Sequence, residues 1–497
     1  MEEPWSFACG CSLKDVIPDY LPGSPHTNQE ELEQLWSCHL RKTPKMARRR
    51  IAPFFYNRAL ELGRLETAGN GELLVLTGPP NSGKSALLSE FKERMQAEQK
   101  GFPILIDMRA GKFNTAASFS RELKAKSAVP LISRVVSEGL KAAVGVEIPE
   151  EVEKETGQAL KEAVQHVEAA SPDNMTILLE RLEALFSTVK ASFTGFTHGV
   201  AAAFPTLIID EANRLYEWSA SREEQENLAT LQEWLVMITK QKKLANVVLA
   251  SSEDSFRIWM GNRVGRERFT VAVVGDLGDE ESFEFFMRGL TSPWEYYCPS
   301  VKDYVFPQAL WEEIHGYVGG RMLLLDRVAA KLSPHLACLM VKGADMKERS
   351  REAEAEMKQT WNSYMVSLHS ALYNEMLLGC RPHSVSAKWK RPALGGSTDA
   401  ALAETKPLWT KEEYLQLLGM ITAGSGVVSE AEVLAAGVSE QALKSLIMHN
   451  FAHYRDIGEW GGTDLAWYKG GFPVVMAMSM PYFHAMKDVL ARHGHGL

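Results

Sequence analysis

Residues 78–85 read Gly-Pro-Pro-Asn-Ser-Gly-Lys-Ser, directly after the apolar run Leu73-Leu74-Val75-Leu76 and directly before Ala86-Leu87-Leu88. The pattern is G-x-x-x-x-G-K-S, set between a strand-like and a helix-like segment as its chemistry requires. At ordinary residue frequencies, a chance match arises in about 2 of 100 chains this long. Gly78 and Gly83 let the backbone curl so that successive N–H groups face inward, where they suit a polyphosphate. The following helix N-terminus adds partial positive charge. The phosphate-binding segment is therefore Gly78, Pro79, Pro80, Asn81, Ser82, Gly83, Lys84, Ser85 and Ala86. Lys84 is placed to reach the β- and γ-phosphates, and the Ser85 hydroxyl to hold Mg²⁺.

A chain of 497 residues, 45% hydrophobic, has room for two to four domains with real cores. A net charge of −9 gives no overall electrostatic footprint for nucleic acid. No apolar run reaches the length of a bilayer span; the best, around Val200–Ile209, is interrupted by Pro205 and ends at Asp210. The start Met-Glu-Glu, with Asp15 and Asp19 following, resembles neither a secretory signal nor an organellar presequence. Six scattered cysteines suit a reducing compartment. The expectation is a soluble intracellular protein, the cytoplasm being favoured and an organelle matrix or the nucleus left open. Cys9-Gly10-Cys11 and Cys38-His39 fit no zinc spacing well and read as free thiols in a leader.

Residues 1–50 carry little periodicity and end in a basic stretch, Arg41–Arg50, that reads as a solvated segment. Residues 54–69 look like a short helix with Leu60, Leu62 and Leu65 available for burial. Strand-like segments follow at 73–76, 102–110, 204–210, 246–251 and 269–275. Between the second and third lies a long, largely helical insertion, 111–203. Its segment from Met175 places Leu178, Leu182, Leu185, Phe186 and Val189 on one face, a stripe that reads as core packing. Strands alternating with helices predict an α/β fold with a parallel sheet, a three-layer αβα core. That core spans 51–280, a helical domain 281–378, a Pro/Gly/Ser/Ala-rich linker 379–408 and a small domain 409–497.

Hydrolysis needs more than a phosphate loop. Asp210 and Glu211 follow the apolar strand Leu207-Ile208-Ile209. Asp210 suits the Mg²⁺ shell beside Ser85, and Glu211 suits a base that orients and deprotonates water. Ser251, at the tip of the 246–251 strand, suits a sensor that positions that water. Arg263, Arg266 and Arg268 precede the last strand, where a guanidinium could be supplied to the γ-phosphate of a neighbouring subunit or domain. A homo-oligomer is the corollary of supply between subunits.

Taken together and in order, from about 54 to 330, these residues resemble the archaeal-type P-loop ATPases, a branch at the boundary of the AAA+ and STAND classes. The resemblance implies ATP as the nucleotide. It implies that Tyr56, Asn57, Arg58, Glu61 and Leu62 form an opening segment that helps border the adenine. It makes Ser251 the sensor serine and, through Gly265-Arg266, makes Arg266 the preferred arginine. His315–Leu325 resembles the family's Gly-Gly-x-Pro hinge, with Met322 where proline is usual and Arg321 as a second sensor.

The resemblance also implies a helical lid and a C-terminal winged helix. Residues 409–497 fit one, with three helices and a wing formed by 451–457 and 465–471 around Trp460-Gly461-Gly462. From 410 onward there are 6 Lys/Arg against 9 Asp/Glu, so phosphate neutralisation on DNA is disfavoured and a protein-interaction or nucleotide-sensing role favoured. The leading reading is an Mg²⁺-dependent ATPase that drives a switch or remodels an unidentified protein client. The alternatives are an ATP-binding scaffold with negligible turnover and a replication-initiator-like DNA-binding ATPase.

Overall fold

The computed structural model describes residues 56, 58–67, 71–98, 102–109, 113, 115–127, 150–194, 205–219, 221–295, 301, 304–340, 346–385, 407–455, 465, 468–470 and 473–494. They fall into two compact units: 58–275 with 374–478 and 485–494, and 56 with 276–373 and 479–484.

The first unit is organised by five strands. These are β1 (Leu73–Thr77), β2 (Phe102–Asp107), β3 (Pro205–Asp210), β4 (Asn246–Ala250) and β5 (Thr270–Val273). All pair in parallel in the order β2-β3-β4-β1-β5, so each expected strand is present and the α/β class holds. β1 and β3 are buried at every position, as continuous apolar runs with helices flanking the sheet should be. Parallel strands need crossovers, supplied by helices. α1 (Ala59–Glu66) precedes the sheet and joins no strands, and the first of the crossover helices are α2 (Lys84–Ala97) and α3 (116–127). Next come α4 (Glu150–Ala169), α5 (Met175–Thr194), α6 (Arg222–Val236) and α7 (Asp254–Val264).

Leu178, Leu182, Leu185, Phe186 and Val189 of α5 are all fully buried in the core that also holds β2, β3 and β4. In α1, Leu62 and Leu65 are buried but Leu60 is 56% exposed. Positions two apart point to opposite sides of a helix, so Leu60 cannot share the face of Leu62.

The second unit is helical: α8 (Asp279–Thr291), α9 (Gln308–Val318), α10 (Met322–Leu332) and most of α11 (Met346–Leu377). Its core gathers Phe286, Leu290, Trp311, Ile314, Leu325, Val328 and Trp361. The Trp361 indole donates to Glu313 Oε1 at 3.1 Å, satisfying the one polar atom of a buried ring.

The C-terminal part of the first unit contains α12 (Lys411–Ala423), β6 (Val427–Ser429), α13 (Glu430–Ala435), α14 (Glu440–Met448), β7 (His453–Arg455) and β8 (Val474–Met476); α15 (Met480–His493) follows. Thr410 and Glu413 form a reciprocal capping box at the start of α12. The strands are antiparallel in the order β6-β8-β7. The second strand expected at 465–471 lies instead at 474–476. Two glycines precede Pro473, whereas Val474 and Val475 are β-branched and fully buried. The tip Trp460-Gly461-Gly462 lies outside the described residues, as do 1–50 with Cys9, Cys11 and Cys38. No helix among the described residues is long and apolar enough to cross a membrane.

Trp218 is one of the largest fully buried side chains. Its indole donates to the Phe113 carbonyl at 2.9 Å, and its ring meets Phe119 edge-on at 5.3 Å. Trp218→Ala is expected to destabilise this unit by about 3–5 kcal/mol, read as a lower urea midpoint. An unchanged midpoint would contradict this packing.

Candidate active site

The strand order sets the site. β4 lies between β1 and β3, so the segments leaving the carboxyl ends of these three neighbours emerge side by side. They are the Gly78–Ser85 loop, Ser251, and Asp210-Glu211.

The loop is shaped by close backbone approach. Gly78 has φ +150°, and a Cβ there would lie 2.2 Å from the Val274 carbonyl oxygen. That carbonyl is fixed because the Val274 N–H donates to the Thr77 carbonyl at 2.8 Å, extending the β1–β5 ladder. Only glycine fits. Asn81, at φ +67°, turns the exposed tip, and Gly83, at φ +96°, leads into α2. No side chain caps the start of α2, as an anion site at a helix N-terminus requires.

Lys84 is 6% exposed, and its ammonium donates to the carbonyls of Gly78 and Pro79 at 2.8 and 2.9 Å. Its charge therefore lies within the ring of the loop. Arg58, 4% exposed, holds the loop from behind. Its Nη2 donates to the Ser82 carbonyl at 2.9 Å and to the Gly275 carbonyl at 2.7 Å, and Nη1 pairs with Glu61 at 3.1 Å. This places Arg58 at the loop backbone. Asn57 lies outside the described residues.

Asp210 ends β3, is 4% exposed, and sits in register with Asp107 at the end of β2. The Glu211 N–H donates to Asp210 Oδ1 at 3.0 Å, and Arg109 Nη2 donates to Oδ2 at 2.8 Å. Glu211 has φ +55°, a left-handed conformation rare outside glycine that turns the chain sharply off the strand. Burial raises its carboxyl pKa above the ordinary value, and the neighbouring Asp210 charge raises it further. Arg109, Lys84 and Arg214 act in the opposite direction. Ser251, 1% exposed, is anchored by its N–H on the Leu76 carbonyl at 2.9 Å. Its hydroxyl donates to Asn213 Oδ1 at 3.3 Å and accepts from the Glu253 N–H at 2.9 Å.

Arg109 and Asn213 were not singled out by the sequence reading. Arg109 had a signal, an Asp-x-Arg at the end of a strand, but only the β2–β3 register makes it a neighbour of Asp210. Asn213 becomes visible only once the 3-10 turn after β3 is built.

Arg266 stands on an exposed 3-10 turn, Arg266–Arg268, between α7 and β5. Gly261 leaves room for its stem, since a Cβ there would lie 2.9 Å from Arg266 Cγ. Arg321 belongs to the other unit. It is 6% exposed and donates to Asp276 through Nε at 2.5 Å and Nη2 at 3.2 Å.

The residues present fit a Mg²⁺–nucleotide. Ser85 and Asp210 offer a hydroxyl and a carboxylate, hard oxygen ligands suited to Mg²⁺. The buried Ser82 hydroxyl has no hydrogen-bond partner among the described residues, inside a loop whose curvature and glycines suit phosphate oxygens.

Residues 55–325 match a family described as an ATPase domain predominantly from Archaea. No curated protein matches the chain. Among solved structures, the Walker-type ATPase PABY2304 of Pyrococcus abyssi is similar at 13% identity. It covers 87% of this chain and 96% of its own, with a TM-score of 0.42. The Aeropyrum pernix ORC2 protein is similar at 12% identity, covering 97% and 98%, with a TM-score of 0.36. Drosophila ORC bound to DNA is similar at 12% identity, covering 93% and 97%, with a TM-score of 0.36. At these values they are likenesses only.

Arg58→Ala strips the Ser82 and Gly275 carbonyls of a buried charged donor. Hydrogen bonds of this kind contribute about 1.5–3 kcal/mol, so nucleotide affinity is expected to fall by on the order of tenfold or more. Equilibrium binding of a fluorescent ATP analogue checks this, and unchanged affinity would remove Arg58 from the support of the loop.

Proposed function

The chain belongs to the family of ATPase domains predominantly from Archaea, and on that premise we propose that it couples Mg²⁺-dependent ATP hydrolysis to a conformational switch acting on a protein partner. Membership makes it an ATP hydrolase. The site reading rests on one observation: the phosphate loop, Ser251 and Asp210-Glu211 leave three adjacent parallel strands at the same edge.

On this reading the loop N–H groups and Lys84 bind the phosphates and stabilise the charge that grows on the β–γ bridge as ADP departs. Glu211 orients a water toward the γ-phosphoryl and takes its proton; the left-handed turn at this residue holds the carboxylate off the strand axis. Ser251, linked to Asn213, positions the same water. Ser85 and Asp210 would hold Mg²⁺, which neutralises the β- and γ-phosphate oxygens when bound. Arg266 is exposed, as a guanidinium offered to a neighbouring subunit of a homo-oligomer would be. Asn57 and Arg58 belong to the nucleotide-bordering segment, with Arg58 acting through the loop. Arg321 is the second sensor, oriented by Asp276.

We read 51–280 as the ATPase core, 281–378 as the lid, 379–408 as a linker and 409–497 as a winged helix, in the manner of the STAND class. The acidic balance of the last segment, 6 Lys/Arg against 9 Asp/Glu from 410 onward, supports a protein partner over a nucleic acid.

Glu211→Gln keeps the shape of the side chain and removes the base. Steady-state turnover is expected to fall by about 10²- to 10⁴-fold while ATP still binds. Turnover equal to wild type would remove Glu211 as the base, and negligible turnover in both would favour an ATP-binding scaffold. Lys84→Ala is expected to weaken ATP by on the order of 10- to 100-fold in the same binding assay, the scale of one or two charged hydrogen bonds. Duplex DNA is expected not to bind, or to bind without a steep salt slope. A loss of about 10³-fold or more between 50 and 200 mM salt would favour a DNA-loading role instead.

A further inference from the structure

Arg109 carries no role in the hydrolytic reading, yet it is ion-paired with the carboxylate assigned to Mg²⁺. Its guanidinium is a fork held mainly by Asp107. Nε lies 3.0 Å from Oδ1 and Nη2 3.2 Å from Oδ2, and the Arg109 N–H also reaches Oδ1 at 2.9 Å. The same Nη2 reaches Asp210 Oδ2 at 2.8 Å. The β2–β3 register sets Asp107 directly opposite Asp210, so two like charges leave neighbouring strands together. A planar cation with several donors in a rigid fork is the side chain that can pair both at once.

Exposure differs between the partners. The Asp210 side chain is 6% exposed, but that of Arg109 is 46% exposed. Arg109 can therefore swing outward without disturbing packed neighbours. Leaving Asp210 costs it one hydrogen bond of the fork and preserves those to Asp107.

We propose that Arg109 is a latch on the Mg²⁺ carboxylate. It neutralises Asp210 until Mg²⁺ arrives with the nucleotide and competes for that carboxylate; the guanidinium then stays tethered to Asp107. A carboxylate already paired with a cation attracts free Mg²⁺ poorly, so the metal enters as the nucleotide complex. Arg109 is a positioning residue acting through Asp210, and the inference rests on the reading of Asp210 as a Mg²⁺ ligand.

The test uses the full chain with a non-hydrolysable fluorescent ATP analogue, titrated with Mg²⁺ and read as the Mg²⁺ midpoint for tight nucleotide binding. Arg109→Gln removes the competitor and is expected to lower that midpoint by about two- to fivefold, with affinity in EDTA unchanged. Arg109→Lys keeps a charge but loses the fork, and is expected to shift the midpoint in the same direction by less. An unchanged or raised midpoint in Arg109→Gln, with EDTA affinity intact, overturns the latch. If Arg109→Gln loses affinity in EDTA as well, Arg109→Lys decides by the same criterion. Asp210→Asn separates the two ideas. Loss of the Mg²⁺ dependence upholds the metal reading whatever Arg109 does, whereas a wild-type midpoint there removes the premise itself.

Discussion

β1 is buried along its whole length and hydrogen-bonded to β4 on one side and to β5 on the other. A strand so enclosed has no register to spare, because its backbone groups are committed to both neighbours and its side chains to the core. The polar chemistry of the chain can emerge only where the ladder ends. Neighbouring strands are about 4.8 Å apart, so the tips of β1 and β3, with β4 between them, stand about 10 Å apart. That gap suits a γ-phosphoryl group with an attacking water. The distance between phosphate loop and acid pair is thus set by the sheet rather than by the loops, and a slip of one strand would dismantle the arrangement.

Backbone strain is concentrated at the same edge. Gly78 has no room for a Cβ against the Val274 carbonyl, and Glu211 is left-handed although it carries a side chain. A non-glycine residue in that conformation costs roughly 1–2 kcal/mol. Part of it is offset locally, since the turn lets the Glu211 N–H reach Asp210 Oδ1. The same bond uses one oxygen of Asp210 and leaves the other for a cation. The strained residue, its half-buried raised-pKa carboxyl and the paired aspartate are therefore one feature rather than three.

How much of this was legible in the sequence follows from range. The strands were readable because each is a short apolar run bounded by polar or breaking residues. The loop was readable because its constraints lie within eight consecutive positions. The core stripe on α5 was readable from its helical period, and the same period should have placed Leu60 outside. What could not be read depends on register between distant segments. Asp107 and Asp210 are about a hundred positions apart, and nothing local to Asp107-Met108-Arg109 says that its strand lies beside β3. Asn213 depends on a 3-10 turn delivering it to Ser251. The strand at 474–476 differs from the expected 465–471 for a local reason. That segment ends in Gly470-Gly471, which disfavour a strand, whereas Val474 and Val475 after Pro473 are β-branched and buried.

The hinge at 319–322 shows how a departure from a family pattern can be absorbed. Proline at the first helical position would preset the backbone entering α10, but Met322 occupies it and the helix still begins there. The direction of the chain is already fixed by its neighbours within that unit. The Leu277 N–H donates to the Gly320 carbonyl at 2.9 Å, and a Cβ on Gly320 would lie 2.0 Å from the Leu277 carbonyl oxygen. Arg321 grips Asp276 one residue earlier, and Gly319 ends α9 at φ +62°. Two consecutive residues clamped on two consecutive residues leave little freedom for a proline ring to remove. The geometry that a proline would enforce from within the chain is enforced here by contact with the segment before α8.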